Sequence, residues 1–146
     1  MSYKREADIL KALAHPKRLE ILYLLQKNQL TASQIEDMTG WPQANVSQHL
    51  YLLKTAQIIL ATRNGKQIRY RLTHPNFIKA SGHIQAVINP SLRVEARGIE
   101  VRDLVCGMTI APASAGFSTI HKGATYYFCA SGCQKKFLRT PHAYVK

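Results

Sequence analysis

The chain has 146 residues, 46% of them hydrophobic, and its 20 Lys and Arg outweigh 8 Asp and Glu to give a net charge of +12. That length holds one ordinary domain or two small ones, and that apolar share excludes a wholly disordered chain. No apolar run reaches the roughly 18 residues of a membrane span, and MSYKREADIL lacks the apolar stretch of a secretory signal, so a cytoplasmic protein is expected.

A positive field of this size attracts polyanions. Nucleic acid suits it better than an anionic membrane, because neither terminus carries a strongly amphipathic basic helix. A merely solvated basic surface is the plainer alternative. No paired carboxylates, phosphate-binding loop or nucleophile–base set is visible, so an enzyme is not expected.

Residues 3 to about 88 carry helical periodicity with one break. Ile9, Leu10 and Leu13 make a short apolar stripe, His15-Pro16 interrupts it, and Pro16 suits the first turn of a second helix. Leu19, Ile21, Leu22, Leu24 and Leu25 give that helix a wide apolar face. In LTASQIEDMTG, Thr31 and Gln34 have capping-box spacing, Ile35 and Met38 point inward, and Gly40 suits the position just past a helix end. The next helix opens at Pro42 as its first residue. Val46, Leu50 and Leu53 fall on one side of it, and Ala44, Ser47, Gln48 and Tyr51 on the other. From Ile58 the period changes to that of strands. Asn64-Gly65 reads as a two-residue hairpin turn, and Ile68, Tyr70 and Leu72 alternate with Arg69 and Arg71. A last helix spans Pro75 to Ile88.

Two short helices, a tight turn and a basic ribbon describe a winged helix-turn-helix. Gln43, Asn45, Ser47 and Gln48 offer amides and hydroxyls to base edges, and Gln and Asn can bond adenine in bidentate fashion. Arg63, Lys66, Arg69 and Arg71 on the ribbon can reach phosphates or a minor groove. The candidate DNA-contacting set is Gln43, Ala44, Asn45, Ser47, Gln48, His49, Tyr51, Lys54, Arg63, Lys66 and Arg69. His49 flanks the apolar stripe, so a packed core histidine is an equal reading of it.

ILKALAHPKRLEILYLL, VSQHLYLLKTAQII and RNGKQIRYRL resemble the ArsR/SmtB family of bacterial winged-helix regulators over residues 5 to about 88. The set A-x-P-x-R-L-x-I-L, V-S-x-H-L-x-x-L and R-x-G-x-x-x-x-Y-x-L carries the likeness. The resemblance implies a homodimer joined through the first and last helices, double-stranded operator DNA with an inverted repeat, and a repressor released by its inducer. Many members place two cysteines before the recognition helix. Thr31 and Ser33 stand there instead. Members that bind zinc between their last helices use paired His and carboxylate ligands. Here His83, with His74 just ahead, has no Asp or Glu between His74 and Pro90. The family's usual sensing sites are therefore not expected in this half.

Residues 91–101 have no clear period and read as a linker between a domain at 1–90 and a small unit at 102–146. That last unit is near the size at which a core alone seldom suffices, and a metal would explain its folding. It holds all three cysteines, Cys106, Cys129 and Cys133, in a C-x22-C-x3-C frame. In a reducing compartment clustered thiols are metal ligands or redox centres more often than disulfides. Two strands around His121-Lys122-Gly123 deliver Cys129 to a helix that begins near Ser131 and carries Cys133. Gly107 allows a close turn beside Cys106. Three thiolates suit a soft ion of trigonal preference, with Cu(I) first and Hg(II), As(III), Cd(II) and Zn(II) following. Closed zinc sites want four ligands, and His121 or His142 is available as a fourth. Arg102, Lys135 and Lys136 lie near in sequence and favour ionised thiols.

Asp103, Val105-Cys106-Gly107-Met108, Tyr126-Tyr127-Phe128-Cys129, Cys133, Phe137, Pro141 and Tyr144 resemble the YHS/TRASH family of small treble-clef-like metal modules. Leu104 stands where proline is usual and Ala130 where serine is frequent. The resemblance implies that the three cysteines bind copper or another heavy metal. The fold expected is mainly α with small β: a winged helix-turn-helix followed by a small α+β metal module. The function expected is a metal-responsive repressor. The alternatives are a DNA-binding regulator with a purely structural zinc module, and a thiol redox sensor using Cys129 and Cys133.

Overall fold

A computed structural model describes residues 3–88, 100–112 and 115–146. Most of the expected linker, residues 91–99, lies outside them. The chain divides into two compact units, Met1–Asp37 with Trp41–Lys79, and Met38–Gly40 with Ala80–Lys146. Among the described residues no helix is long and apolar enough to cross a membrane.

The first part of the chain runs α1 (Tyr3–Leu13), α2 (Pro16–Leu24), β1 (Leu30–Thr31), α3 (Ala32–Thr39), α4 (Gln43–Thr55), β2 (Ile59–Asn64), β3 (Gln67–Leu72) and α5 (Asn76–Ile88). His15 caps α2: its backbone is extended, and its Nδ1 accepts the Lys17 N–H at 3.1 Å. Pro16 then occupies the first turn, where it forfeits no hydrogen bond. The capping box before α3 is reciprocal. Thr31 Oγ1 accepts the Gln34 N–H at 3.2 Å, and Gln34 Oε1 accepts the Thr31 N–H at 2.9 Å. Gly40 ends α3 with φ of 75°, the left-handed conformation that favours glycine. Pro42 is the N-cap of α4 rather than its first residue: its backbone is extended, and its carbonyl accepts the N–H groups of Asn45 and Val46.

The three strands form one antiparallel sheet in the order β1-β3-β2. The hairpin differs from expectation by one residue. Asn64 pairs with Gln67, which leaves Gly65 and Lys66 as the turn. Gly65 takes φ of 65°, and Lys66 is not in the positive-φ region. That is the II′ pattern, with glycine at the first central position. Ile21, Leu22, Leu24, Leu25, Leu30, Ile35, Val46, Leu50, Leu53, Ile58 and Ile59 are buried. The stripes read from α2 and α4 therefore face inward, and the opposite edge of α4 stays free of packing.

The C-terminal part holds β4 (Val101–Arg102) paired with β5 (Thr109–Ile110), the hairpin β6 (Phe117–His121) and β7 (Ala124–Phe128), α6 (Ser131–Arg139) and a 3-10 turn at Pro141–Ala143. Its hairpin turns at Lys122 and Gly123, both with positive φ, the I′ pattern that matches strand twist. Phe137 is the hub of the core, with ring centroids 5.1 Å from Tyr126, 5.2 Å from Phe128 and 6.1 Å from Tyr144. Val105, Phe117 and Val145 pack around it.

Candidate metal centre and nucleic-acid interface

Cys106 comes from the turn between β4 and β5, Cys129 from the exit of β7, and Cys133 from the first turn of α6. These three elements converge. Cys106 Sγ lies 3.3 Å from Cys129 Sγ, and Cys129 Sγ lies 3.7 Å from Cys133 Sγ. All three sulfurs and an Asp103 carboxylate oxygen fall within 4.8 Å of one another. The cysteines are free thiols, with Cys106 exposed, Cys129 half-buried and Cys133 buried.

With metal–sulfur bonds of about 2.3 Å, sulfurs on a shared ion stand about 3.8–4.0 Å apart. The observed separations lie close to that, so the donors present fit a single thiophilic ion. Neither His121 nor His142 belongs to the group of donors in mutual reach. His121 instead sets its ring edge-on to Phe137 at 5.8 Å.

Asp103 is the residue that sequence spacing did not single out as part of the site. It is 0% exposed. Its Oδ1 accepts the Val105 N–H at 2.8 Å and its Oδ2 accepts the Cys129 N–H at 2.8 Å. Its own N–H donates to Met108 O, and its carbonyl accepts the Gly107 N–H, both at 2.8 Å. One carboxylate therefore fixes the turn that carries Cys106 to the strand end that carries Cys129. The signal available was its place in Asp-x-Val-Cys. Its second partner lies 26 residues on. Gly107 has φ of 81°, and a Cβ there would stand 3.1 Å from the Arg102 guanidinium. That guanidinium donates to the Gly107 carbonyl.

The three thiols perturb one another's proton affinity. The Cys106 thiol is held far below its ordinary value, first by hydrogen bonding from Cys129 and then from Cys133. Cys129 is pushed up, chiefly by the same bond to Cys106, then by Cys133 and by burial. Cys133 is also raised, with the Cys106 bond as the largest cause. The Arg102 guanidinium is turned to the Gly107 carbonyl, and Lys135 and Lys136 lie exposed on α6.

On the other unit, Gln43, Ala44, Ser47, Gln48, Tyr51 and Lys54 form the exposed edge of α4, with Asn45 half-buried beside them. Tyr51 is 67% exposed, an unusual position for so large a ring. Arg63, Lys66 and Arg71 are exposed on the ribbon and Arg69 is half-buried. His49 parts from the rest of the candidate DNA-contacting set. It is 8% exposed, its ring centroid lies 4.7 Å from His15 and 6.4 Å from Trp41, and Arg18 Nη1 lies 3.4 Å from its Nδ1. Burial first, then the charges of His15, Arg18 and Lys17, lower its proton affinity. Packing between α2 and α4 has taken this side chain, so it is withdrawn from the set of base contacts.

Residues 15–59 match the family described as bacterial regulatory protein, arsR family, and residues 101–146 match the YHS domain. The chain is 36% identical to the transcriptional repressor PagR of Bacillus anthracis over 91 residues, covering 62% of this chain and 87% of that protein. It is 38% identical to the HTH-type transcriptional repressor SmtB of Mycobacterium tuberculosis over 65 residues, 44% of this chain, and spans about half, 48%, of that repressor's length. The solution structure of the homodimeric winged helix-turn-helix DNA-binding domain Mb0332 of Mycobacterium bovis is similar, with a TM-score of 0.56 at 27% identity, covering 66% of this chain and 90% of that one.

Proposed function

This chain belongs to the arsR family of bacterial regulatory proteins, and from that premise we propose that it is a transcriptional repressor released from its operator when a thiophilic metal ion binds Cys106, Cys129 and Cys133. Its division of labour follows the chain. Residues 1–90 dimerise and bind double-stranded DNA with an inverted repeat, and residues 102–146 receive the inducer. The polar edge of α4, from Gln43 to Lys54, enters the major groove, and Arg63, Lys66 and Arg69 meet phosphates from the ribbon. The relatives are named as repressors.

The single observation that carries the metal reading is the convergence of three sulfurs from three separate elements onto one point. Cu(I) is the first choice. Three thiolates satisfy an ion that accepts three soft ligands, and the fourth donor in reach, Asp103, is already engaged by two N–H groups. Zn(II), Hg(II), As(III) and Cd(II) are the remaining candidates.

The coupling required is modest, since about 1–3 kcal/mol changes operator affinity roughly 5–150-fold. The test is fluorescence anisotropy with the protein's own promoter DNA, using reduced protein before and after loading with Cu(I), Hg(II) or Zn(II). Weaker binding by that factor with at least one ion is the expected result. Unchanged affinity in protein shown to hold the metal sinks the sensor reading and leaves a DNA-binding regulator with a structural ion.

A further inference from the structure

We propose that the same sulfur cluster is a redox-modified site, at which a hydroperoxide joins Cys106 to Cys129 in a disulfide and leaves Cys133 reduced. The proposal rests on the metal reading above only for its consequence: oxidation closes the inducer site.

The three sulfurs are not equivalent. Cys106 is exposed, on a turn that reaches only from Asp103 to Met108. Cys129 lies 3.3 Å from Cys106 and 3.7 Å from Cys133, and all three sulfurs are within 4.8 Å of one another. Cys133 is 2% exposed and packs with Phe128 and Phe137. An oxidant from solvent therefore meets Cys106 first. Cys106 already stands 3.3 Å from Cys129, whereas Cys129 and Cys133 are 3.7 Å apart. A disulfide is about 2.05 Å long, so closing the first pair needs a shift of about 1.2 Å, borne by a surface turn. Closing the second needs a larger shift, borne by a buried side chain on a helix. Sequence spacing alone suggests the Cys129–Cys133 pair; burial and distance favour the other.

The chemistry balances with a hydroperoxide as the named oxidant. Cys106 sulfur attacks the O–O bond, takes one oxygen as a sulfenic acid and releases an alcohol, or water from hydrogen peroxide. Cys129 sulfur then attacks the sulfenic sulfur. The S–O bond breaks, the S–S bond forms, and the hydroxide leaves as water with the Cys129 proton. Two thiols lose two electrons and one hydroperoxide gains them. Two of the three metal ligands are consumed, so the oxidised and metal-loaded forms exclude each other.

The experiment treats the full chain, reduced and metal-free, with hydrogen peroxide. Remaining thiols are then alkylated, and tandem mass spectrometry locates the link. A Cys106–Cys129 link, an alkylated Cys133 and reversal by dithiothreitol are expected. Cys133→Ser should still form the link, and Cys129→Ser should leave a Cys106 sulfenic acid that dimedone traps. Prior loading with redox-inert Zn(II) should suppress the reaction. A Cys129–Cys133 or Cys106–Cys133 link, three alkylated thiols, or Cys106 sulfinic acid without a link overturns the proposal. Zn(II) and Cu(I) uptake by the reduced protein is measured separately. A link without uptake sinks the metal reading alone, and uptake without a link sinks the redox proposal alone.

Discussion

Asp103→Asn should weaken metal binding about 10–100-fold, the usual cost of losing a group that orients a metal ligand. The native carboxylate accepts two backbone N–H groups, one from Val105 beside Cys106 and one from Cys129 itself. An amide keeps one acceptor oxygen and turns an NH2 group toward the second N–H. One bond is therefore lost and replaced by donor facing donor. Hydrogen bonds to a charged group contribute about 1.5–3 kcal/mol each, and a loss of about 1.4–2.8 kcal/mol is the 10–100-fold quoted. Competition against a chromogenic Cu(I) chelator, without oxygen, measures the affinity, and thiol titration checks that all three cysteines remain reduced. Co(II) spectra separate positioning from direct ligation: band positions stay where they are if Asp103 only orients the thiolates, and shift if its oxygen is bound. Native affinity in a folded Asp103→Asn protein would show that the two 2.8 Å bonds do not set the sulfur geometry.

Phe137→Ala removes the ring against which Tyr126, Phe128, Tyr144 and His121 all pack, and should cost about 3–5 kcal/mol; thermal unfolding of the reduced C-terminal unit checks this, and a change under about 1 kcal/mol refutes it. His49 is held below its ordinary value chiefly by burial, so the unfolded chain takes up this proton at higher pH than the folded one. Its stabilisation is therefore complete above about pH 6.5 and lost as pH falls through the folded value. His49→Gln should flatten the acid limb of the unfolding midpoint below about pH 6.5, and identical limbs refute the assignment. Lys66→Ala and Arg69→Ala should weaken binding to all DNA sequences together and lower the salt slope by about 0.9 per phosphate contact removed. An unchanged slope means the ribbon does not lie on the backbone.

What was legible in the sequence is what neighbouring residues settle among themselves. The His15 cap closes over two residues and the Thr31–Gln34 box over three, so both were visible in the string. The ribbon was visible too, but its register was not: Asn-Gly suits a I′ turn and Gly-Lys a II′ turn, and the pairing of Asn64 with Gln67 decides between them. The thiol frame picked out three residues whose sulfurs converge, because few other roles suit cysteines at that spacing. Asp103 stood out in the motif, but its role was opaque, since the bond that gives it meaning reaches 26 residues forward. His49 was ambiguous because helical periodicity put it on a boundary, and the partners that resolve it, His15 and Arg18, lie more than thirty residues upstream.

Thr31 and Ser33 stand where many members of the family carry cysteines, and Thr31 spends its hydroxyl and its N–H on the capping box. The entry to α3 is thus completed by its own side chains. The C-terminal segment differs: among its described residues from 100 onward the fully buried large side chains are Phe128 and Phe137, a small core for a segment of this length. In the proposed reading, metal free energy enters at the thiols and reaches DNA only through linkage. Linkage is reciprocal. If metal weakens operator binding by a given factor, saturating operator must weaken metal binding by the same factor, about 5–150-fold. Chelator competition with and without operator DNA measures the second arm of that cycle. Should metal lower DNA affinity while DNA leaves metal affinity untouched, the cycle does not close. The loss of DNA binding would then come from disulfide formation or aggregation, and the inducer reading falls even with a positive anisotropy result.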